Sequence, residues 1–169
     1  MGGAGEEKRP VRVAAITVSD SRKQGDDEGG DRLCERLTAA GFVVSLRALV
    51  RDEPAEIAAA VARICDEDLA DALVTTGGTG IAPRDSTYEA VETLLEKKLE
   101  GFGEAFRRLS WDEVGPSAVL SRAVAGVHRR RVIVCLPGSP KAVVLAVDRI
   151  LSPILEHAVN LAAGQKHGH

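Results

Sequence analysis

The stretch Ala72-Leu73-Val74-Thr75-Thr76-Gly77-Gly78-Thr79-Gly80-Ile81-Ala82-Pro83-Arg84-Asp85-Ser86-Thr87 leaves the chain few ways to fold. An apolar strand runs straight into three glycines and three threonines. Ser86 and Glu89 then have the spacing of a capping box, which predicts a helix start. Glycine lets the backbone turn sharply and approach a ligand with no Cβ in the way. Successive N–H groups in such a turn can face one concavity and bind an anion, and threonine hydroxyls add donors. As local chemistry, the turn is either a tight connection or a phosphate or carboxylate cradle. It is not a Walker A loop, because no Gly-Lys-Ser/Thr follows, and it does not fit the Gly-x-Gly-x-x-Gly fingerprint. The Arg84-Asp85 pair favours the cradle. A carboxylate beside an anion site is unfavourable unless a cation or a proton relay uses it.

The rest of the chain alternates strand and helix. A strand is expected over Val11 to Val18, ending in Ser19-Asp20-Ser21 and an acidic loop from Gln24 to Asp31. A helix over residues 31–40 stops at Gly41, a good C′ residue. A strand from Val43 to Val50 ends in Arg51-Asp52-Glu53, and Pro54 opens a helix over Ala55 to Asp66. After the glycine loop the spacing predicts a helix from Ser86 to about Lys98. Glu100-Gly101-Phe102-Gly103 should break it, with another helical piece from Glu104 to Leu109. Residues 117–127 read as short and irregular. Val132-Ile133-Val134-Cys135-Leu136 is continuously apolar, as a buried parallel strand should be. Ser139 as N-cap and Pro140 at N1 then start a long helix reaching about Ala163.

This alternation predicts a three-layer α/β domain with a mostly parallel sheet. Residues 11–163 form that single domain, with residues 1–10 a disordered lead-in and 164–169 a tail. Apolar residues make up 44% of the 169, enough for a full core. The net charge of −3, with 22 basic and 25 acidic residues intermixed, argues against a nucleic-acid surface. Arg129-Arg130-Arg131 reads as a solvated turn before a strand. The apolar runs are too short for a membrane span, and no signal peptide is expected. Cys34, Cys65 and Cys135 lack any metal-type spacing and fit a reduced, cytoplasmic setting.

In parallel sheets, ligands bind beyond the carboxyl ends of the strands. Four such ends carry polar loops here: Ser19-Asp20, Arg51-Asp52, the glycine loop, and Pro137-Gly138-Ser139. Asp20, Asp52 and Asp85 could gather there, either as turn and helix caps or as the carboxylates of metal-assisted phosphoryl chemistry. Lys141 is either a solvated lysine or an anion partner near a helix N-terminus. Asp26-Asp27-Glu28 reads as a solvated charge run. Phe102 and Trp111 read as core or interface anchors.

The blocks Thr75 to Gly80, Glu100 to Glu104, Leu120-Ser121-Arg122-Ala123 and Leu136 to Lys141, in this order, resemble the MoaB/MogA family of molybdenum-cofactor biosynthesis proteins. Ile16-Thr17-Val18-Ser19-Asp20 is similar to the family's first strand. The likeness runs from about Val11 to Leu161, and Gly103 to Ser110 looks more like MoaB. The resemblance implies an α/β/α molybdopterin-binding fold and a cytoplasmic homo-oligomer, a trimer or hexamer. It implies binding of molybdopterin and transfer of AMP from Mg-ATP to its terminal phosphate. The product would pass to the protein that inserts molybdenum. Thr76, Gly77, Gly78, Thr79 and Gly80 would bind ligand, with Ser19, Asp20, Ser121, Pro137, Gly138, Ser139 and Lys141. Asp52 and Asp85 match the family's functional aspartates and would hold Mg²⁺, and Asp27 lies in a matching loop. Thr87-Tyr88 stands where many relatives have Thr-Pro; Ser86 and Thr87 are expected to cap the helix regardless. A non-catalytic molybdopterin carrier is the alternative. The related domain of competence-damage-inducible proteins needs a further domain that 169 residues cannot hold.

Overall fold

Successive residues of the central strands feed two cores, one on each face of a single sheet. Val13 and Ala15, with Ala72, Val74, Val132, Val134 and Leu136, face one side, where they meet Leu33, Leu37, Phe102, Phe106, Val143 and Leu155. Ala14, Ile16, Val18, Leu73, Ile133 and Cys135 face the other, against Ile57, Val61, Ile64, Ala90 and Val91. The period of two in a strand forces this division, and burial on both sides explains the unbroken apolar runs. The computed structural model describes residues 8–21 and 25–165.

The elements are β1 (Arg12–Val18), α1 (Glu28–Ala39), β2 (Val43–Val50), α2 (Pro54–Asp66), β3 (Ala72–Thr76), α3 (Thr87–Glu92) and β4 (Lys97–Lys98). They continue with α4 (Glu100–Val114), a 3₁₀ turn (Gly115–Leu120), β5 (Val124–His128), β6 (Arg131–Leu136), α5 (Pro140–Ala146), a π-helical segment (Val147–Leu151) and α6 (Ser152–Ala162). The sheet order is β2-β1-β3-β6-β5-β4. The first four strands are parallel, and β5 and β4 are antiparallel additions at one edge. Helices α1, α4, α5 and α6 cover one face and α2 and α3 the other, giving the expected α/β/α sandwich.

Several local expectations are corrected. The acidic loop gives way to helix earlier than expected, because Asp27 caps α1 by accepting from the Gly30 N–H. Asp27 is buried and also accepts from the Thr17 hydroxyl at 2.5 Å, so it is no solvated charge. The helix expected to reach Lys98 ends at Glu92. Beyond it, the Glu96 and Leu99 N–H groups bond Val127 and Ala125, so pairing with β5 overrides the helical spacing. Residues 100–103 begin α4 instead of breaking a helix. Phe102 and Phe106, one turn apart, stack at 6.3 Å in the core, and that burial outweighs two glycines. Part of the segment read as irregular is β5. Its hairpin to β6 turns through Arg129 and Arg130, both at positive φ, a geometry usually signalled by Asn or Gly.

The long C-terminal helix forms, but widens between Val147 and Leu151. Pro153 lacks an N–H and its ring crowds the carbonyl four residues back, which the wider segment relieves. Residues 1–7 of the expected lead-in and 166–169 of the tail lie outside the described residues. Lys8 and Arg9 are tied to Glu156 and Asp71 by ion pairs. No described helix is long and apolar enough to cross a membrane.

Candidate active site at the carboxyl edge of the sheet

The register brings the four polar loops together. Val18 pairs with Val50, Thr17 with Thr76, and Thr76 with Leu136, so β2, β1, β3 and β6 end level with one another. The chain leaves β1 toward β2 on one side and returns to β3 on the other, so the sheet's switch point lies between β1 and β3. The loops that flank it are Ser19-Asp20 and the glycine loop.

Contacts between loops fix the edge. The Ser19 N–H bonds the Val50 carbonyl, and the Gly77 N–H bonds that of Leu136. The Thr76 hydroxyl donates to the Pro137 carbonyl at 2.8 Å. Gly77 and Gly78 have φ of 103° and 72°, the left-handed region that favours glycine. A Cβ on Gly77 would collide with the Val18 carbonyl, and one on Gly78 with the Thr87 hydroxyl. These glycines therefore let the loop lie down on β1 and α3. The Thr87 hydroxyl is wholly buried and has no hydrogen-bond partner among the described residues.

The loop's polar groups are sorted by direction. The Gly78 carbonyl accepts from the Thr87 N–H and the Thr79 carbonyl from the Arg122 N–H, both at 3.1 Å. The Gly80 carbonyl accepts from Arg122 Nε and Nη2 at 3.0 and 2.6 Å. Three successive carbonyls are thus spent on protein donors. The N–H groups from Gly78 to Ile81 meet no protein acceptor among the described residues. Unspent N–H groups beside satisfied carbonyls are the electrostatics of an anion cradle.

Four carboxylates belong to the loops of this edge, and they divide into two kinds. Asp20 Oδ2 accepts from Arg84 Nε and Nη2 at 3.1 and 2.9 Å, and the same Nη2 reaches Glu53 at 2.8 Å. The Arg84 bonds hold the Asp20 carboxyl below the usual aspartate value. Asp52 and Asp85 have no basic partner among the described residues. Asp52 is buried, and its Oδ1 accepts from Ser86 N and Oγ at 3.0 and 2.7 Å. Its Oδ2 lies 2.9 Å from the place of a Gly78 Cβ, and Asp85 Oδ2 lies 2.7 Å from that of a Gly80 Cβ. Asp85 Oδ2 also accepts from the Ala82 N–H. Each of these two carboxylates keeps one oxygen without a protein donor.

That donor set bears on Mg²⁺. Among the described residues no cluster of three or more His, Cys, Asp or Glu side chains is placed to hold a metal ion. A dedicated cage is therefore absent from them. Two hard oxygens beside a phosphate cradle do fit Mg²⁺, which takes one or two carboxylates and completes its shell with water and substrate phosphates.

Most expected site residues meet here: Ser19, Asp20, Asp52, Thr76 to Gly80, Asp85, Pro137 and Gly138. Ser139 follows Gly138 directly and is the N-cap of α5, accepting from Ala142 N. Two others line separate grooves. Lys141 is exposed and lines a groove with Glu28, Arg32 and Asp148 that includes no glycine-loop residue. Ser121 lines a neighbouring cavity of about 340 Å³ with Tyr88, Lys98, Arg107 and Arg122. Ser86, expected as a helix cap, makes no capping bond and holds Asp52 instead. The site residues unforeseen from sequence are Arg122 and Thr87. Arg122 stands in one of the motif blocks, but its target carbonyl lies 42 residues away.

Fold and site together define an α/β/α protein whose glycine loop, with Asp52 and Asp85 against it, flanks the switch point of its sheet. Residues 14–157 match the family model described as "Probable molybdopterin binding domain". A Staphylococcus aureus (strain COL) protein named Molybdenum cofactor biosynthesis protein B is 45% identical over 155 residues, 90% of this chain and 92% of that one. A crystal structure of a Molybdenum cofactor biosynthesis protein B superposes with a TM-score of 0.89 at 40% identity, covering 93% and 98% of the two chains. The molybdopterin biosynthesis enzyme MoaB of Thermus thermophilus gives 0.81 at 39%, covering 91% and 97%. The chain belongs to this family of molybdenum cofactor biosynthesis proteins, the MoaB/MogA family.

Proposed function

We propose that this chain binds molybdopterin and transfers AMP from Mg-ATP to its terminal phosphate. The observation that carries the reading is the pair Asp52 and Asp85. Both lie against the glycine cradle, and neither has a basic partner among the described residues. Binding a phosphate needs the N–H groups and gains nothing from two negative charges beside them. A phosphoryl transfer assisted by a cation has a use for the charges, since they would hold the cation.

In this reading an oxygen of the pterin phosphate attacks the α-phosphorus of ATP. The bond from that phosphorus to the bridging oxygen breaks, and pyrophosphate leaves. The glycine-loop N–H groups, from Gly78 to Ile81, hold the pterin phosphate in line. Asp52 and Asp85 hold Mg²⁺, which offsets phosphate charge when bound. Positioning and electrostatics supply most of such a reaction. We place the protein in the cytoplasm as a homo-oligomer that hands adenylylated molybdopterin to the protein inserting molybdenum.

The test is incubation with molybdopterin, Mg²⁺ and labelled ATP, followed by detection of adenylylated pterin and pyrophosphate. One observation favours a second reading. Asp52 already serves the fold by holding Ser86, a duty a non-catalytic carrier would also need. Tight molybdopterin binding with no product establishes the carrier.

A further inference from the structure

The anion cradle depends on which way its peptide groups face. Gly78 and Gly80 have no side chains to settle that, so an outside group must. Arg122 supplies three of the four donors that take up the carbonyls from Gly78 to Gly80. Its N–H takes Thr79, and its Nε and Nη2 chelate Gly80. The guanidinium is itself held. Nη1 pairs with Glu89, and the Tyr88 ring lies under it, with Cζ 5.0 Å from the centroid. Glu89 and Tyr88 both belong to α3, whose first N–H, that of Thr87, takes the remaining carbonyl. One assembly of α3 and Arg122 therefore orients the whole cradle.

The structure assigns Arg122 as a positioning residue that turns the glycine-loop carbonyls inward and so aims the loop's N–H groups at the ligand phosphate. It acts through its fork of donors and does not offer its charge to the ligand, since that charge is answered by Glu89. The assignment rests on the cradle binding the pterin phosphate, but its first readout needs no ligand.

Lysine keeps the charge and loses the fork. The experiment compares wild type with Arg122→Lys and Arg122→Ala by ¹⁵N relaxation of the free proteins and by molybdopterin titration. In wild type the amides of Gly78, Thr79 and Gly80 should have order parameters near about 0.85, falling below about 0.6 in both variants. Molybdopterin affinity should fall about tenfold or more in both, the scale of a charge-assisted hydrogen bond. The dependence of affinity on salt should keep its slope. Loop order unchanged in the variants overturns the proposal. So does near-wild-type affinity in Arg122→Lys, or a flattened salt dependence in Arg122→Ala, because either means the charge meets the ligand. Should neither variant fold, Glu89→Gln decides by the same two readouts, with a looser loop and weaker binding expected and wild-type behaviour overturning the assignment. Failure of wild type to make adenylylated product would overturn the proposed reaction and leave the loop-order result standing.

Discussion

Ser86 gives both its N–H and its hydroxyl to a single oxygen of Asp52, 34 residues earlier in the chain, at 3.0 and 2.7 Å. The α3 helix forgoes its side-chain cap, and the Asp52 carboxylate is fixed with its other oxygen against Gly78.

Asparagine at position 52 retains a carbonyl oxygen that can accept both Ser86 bonds, so Asp52→Asn removes charge and little geometry. Asp85→Asn likewise keeps an acceptor for the Ala82 N–H. In each variant, adenylylation should fall by on the order of 10²–10³, the scale of one well-placed electrostatic group. Molybdopterin affinity should stay within a small factor, because the interaction lost is made mainly in the transition state. Product formation and pterin titration measure the two. Wild-type turnover in either variant makes that aspartate a turn or loop support only.

The cradle glycines should rank by what their missing Cβ would meet. Gly77→Ala drives a methyl into the Val18 backbone carbonyl, which cannot swing aside. Gly78→Ala meets side-chain atoms, those of the buried Thr87 and Asp52, rather than a backbone group. Both also force a side chain into positive φ, so each should destabilise by about 1–3 kcal/mol, with Gly77→Ala the worse. At Gly138 a Cβ would sit 3.5 Å from the Gly77 Cα, an ordinary contact, and the change should stay within about 0.5 kcal/mol. Thermal and urea denaturation give the order. Gly78→Val should lose stability along with pterin binding, because its Cβ faces the protein.

Arg84 links the pH response to the site. Bonding to Arg84 depresses the Asp20 carboxyl below its ordinary value of 3.8. A carboxyl with a lowered folded-state pKa contributes stability that is present above its unfolded value. That contribution is lost as pH falls from about 3.8 through the depressed value. Arg84→Gln should return the Asp20 pKa toward the ordinary value, as read by carboxyl ¹³C titration. An unmoved pKa would show that Arg84 does not bond Asp20 in solution.

Trp111, Val114, Val119 and Leu120 are all more than half exposed, on the end of α4 and the turn after it. Apolar surface of that kind is what an interface between copies of the chain would bury. Light scattering at micromolar concentration should report at least a trimer of the 17.8 kDa chain, and Trp111→Glu should shift it toward monomer. A monomeric wild type refutes the oligomer.

The layers of this fold were legible in the sequence because strand and helix periods are local. Residues Val132 to Leu136 read as a doubly buried strand, and Pro54, Ser139 and Pro140 mark helix starts with their own chemistry. The glycine loop and the strand-end aspartates stood out for the same reason. What the tertiary structure decided was partnership at long range. The β4–β5 pairing shortened α3, burial of Phe102 with Phe106 carried α4 through two glycines, and Asp27 went inside because Thr17 met it there. Within the site, Ser86 abandoned a cap for Asp52, and Arg122 found a carbonyl 42 residues away. Lys141, close in sequence to the Pro137-Gly138 turn, lies on α5, which carries it away from the cradle. Period and capping are written in neighbouring residues; hydrogen-bond partners across the sheet edge exist only once the strands have set their register.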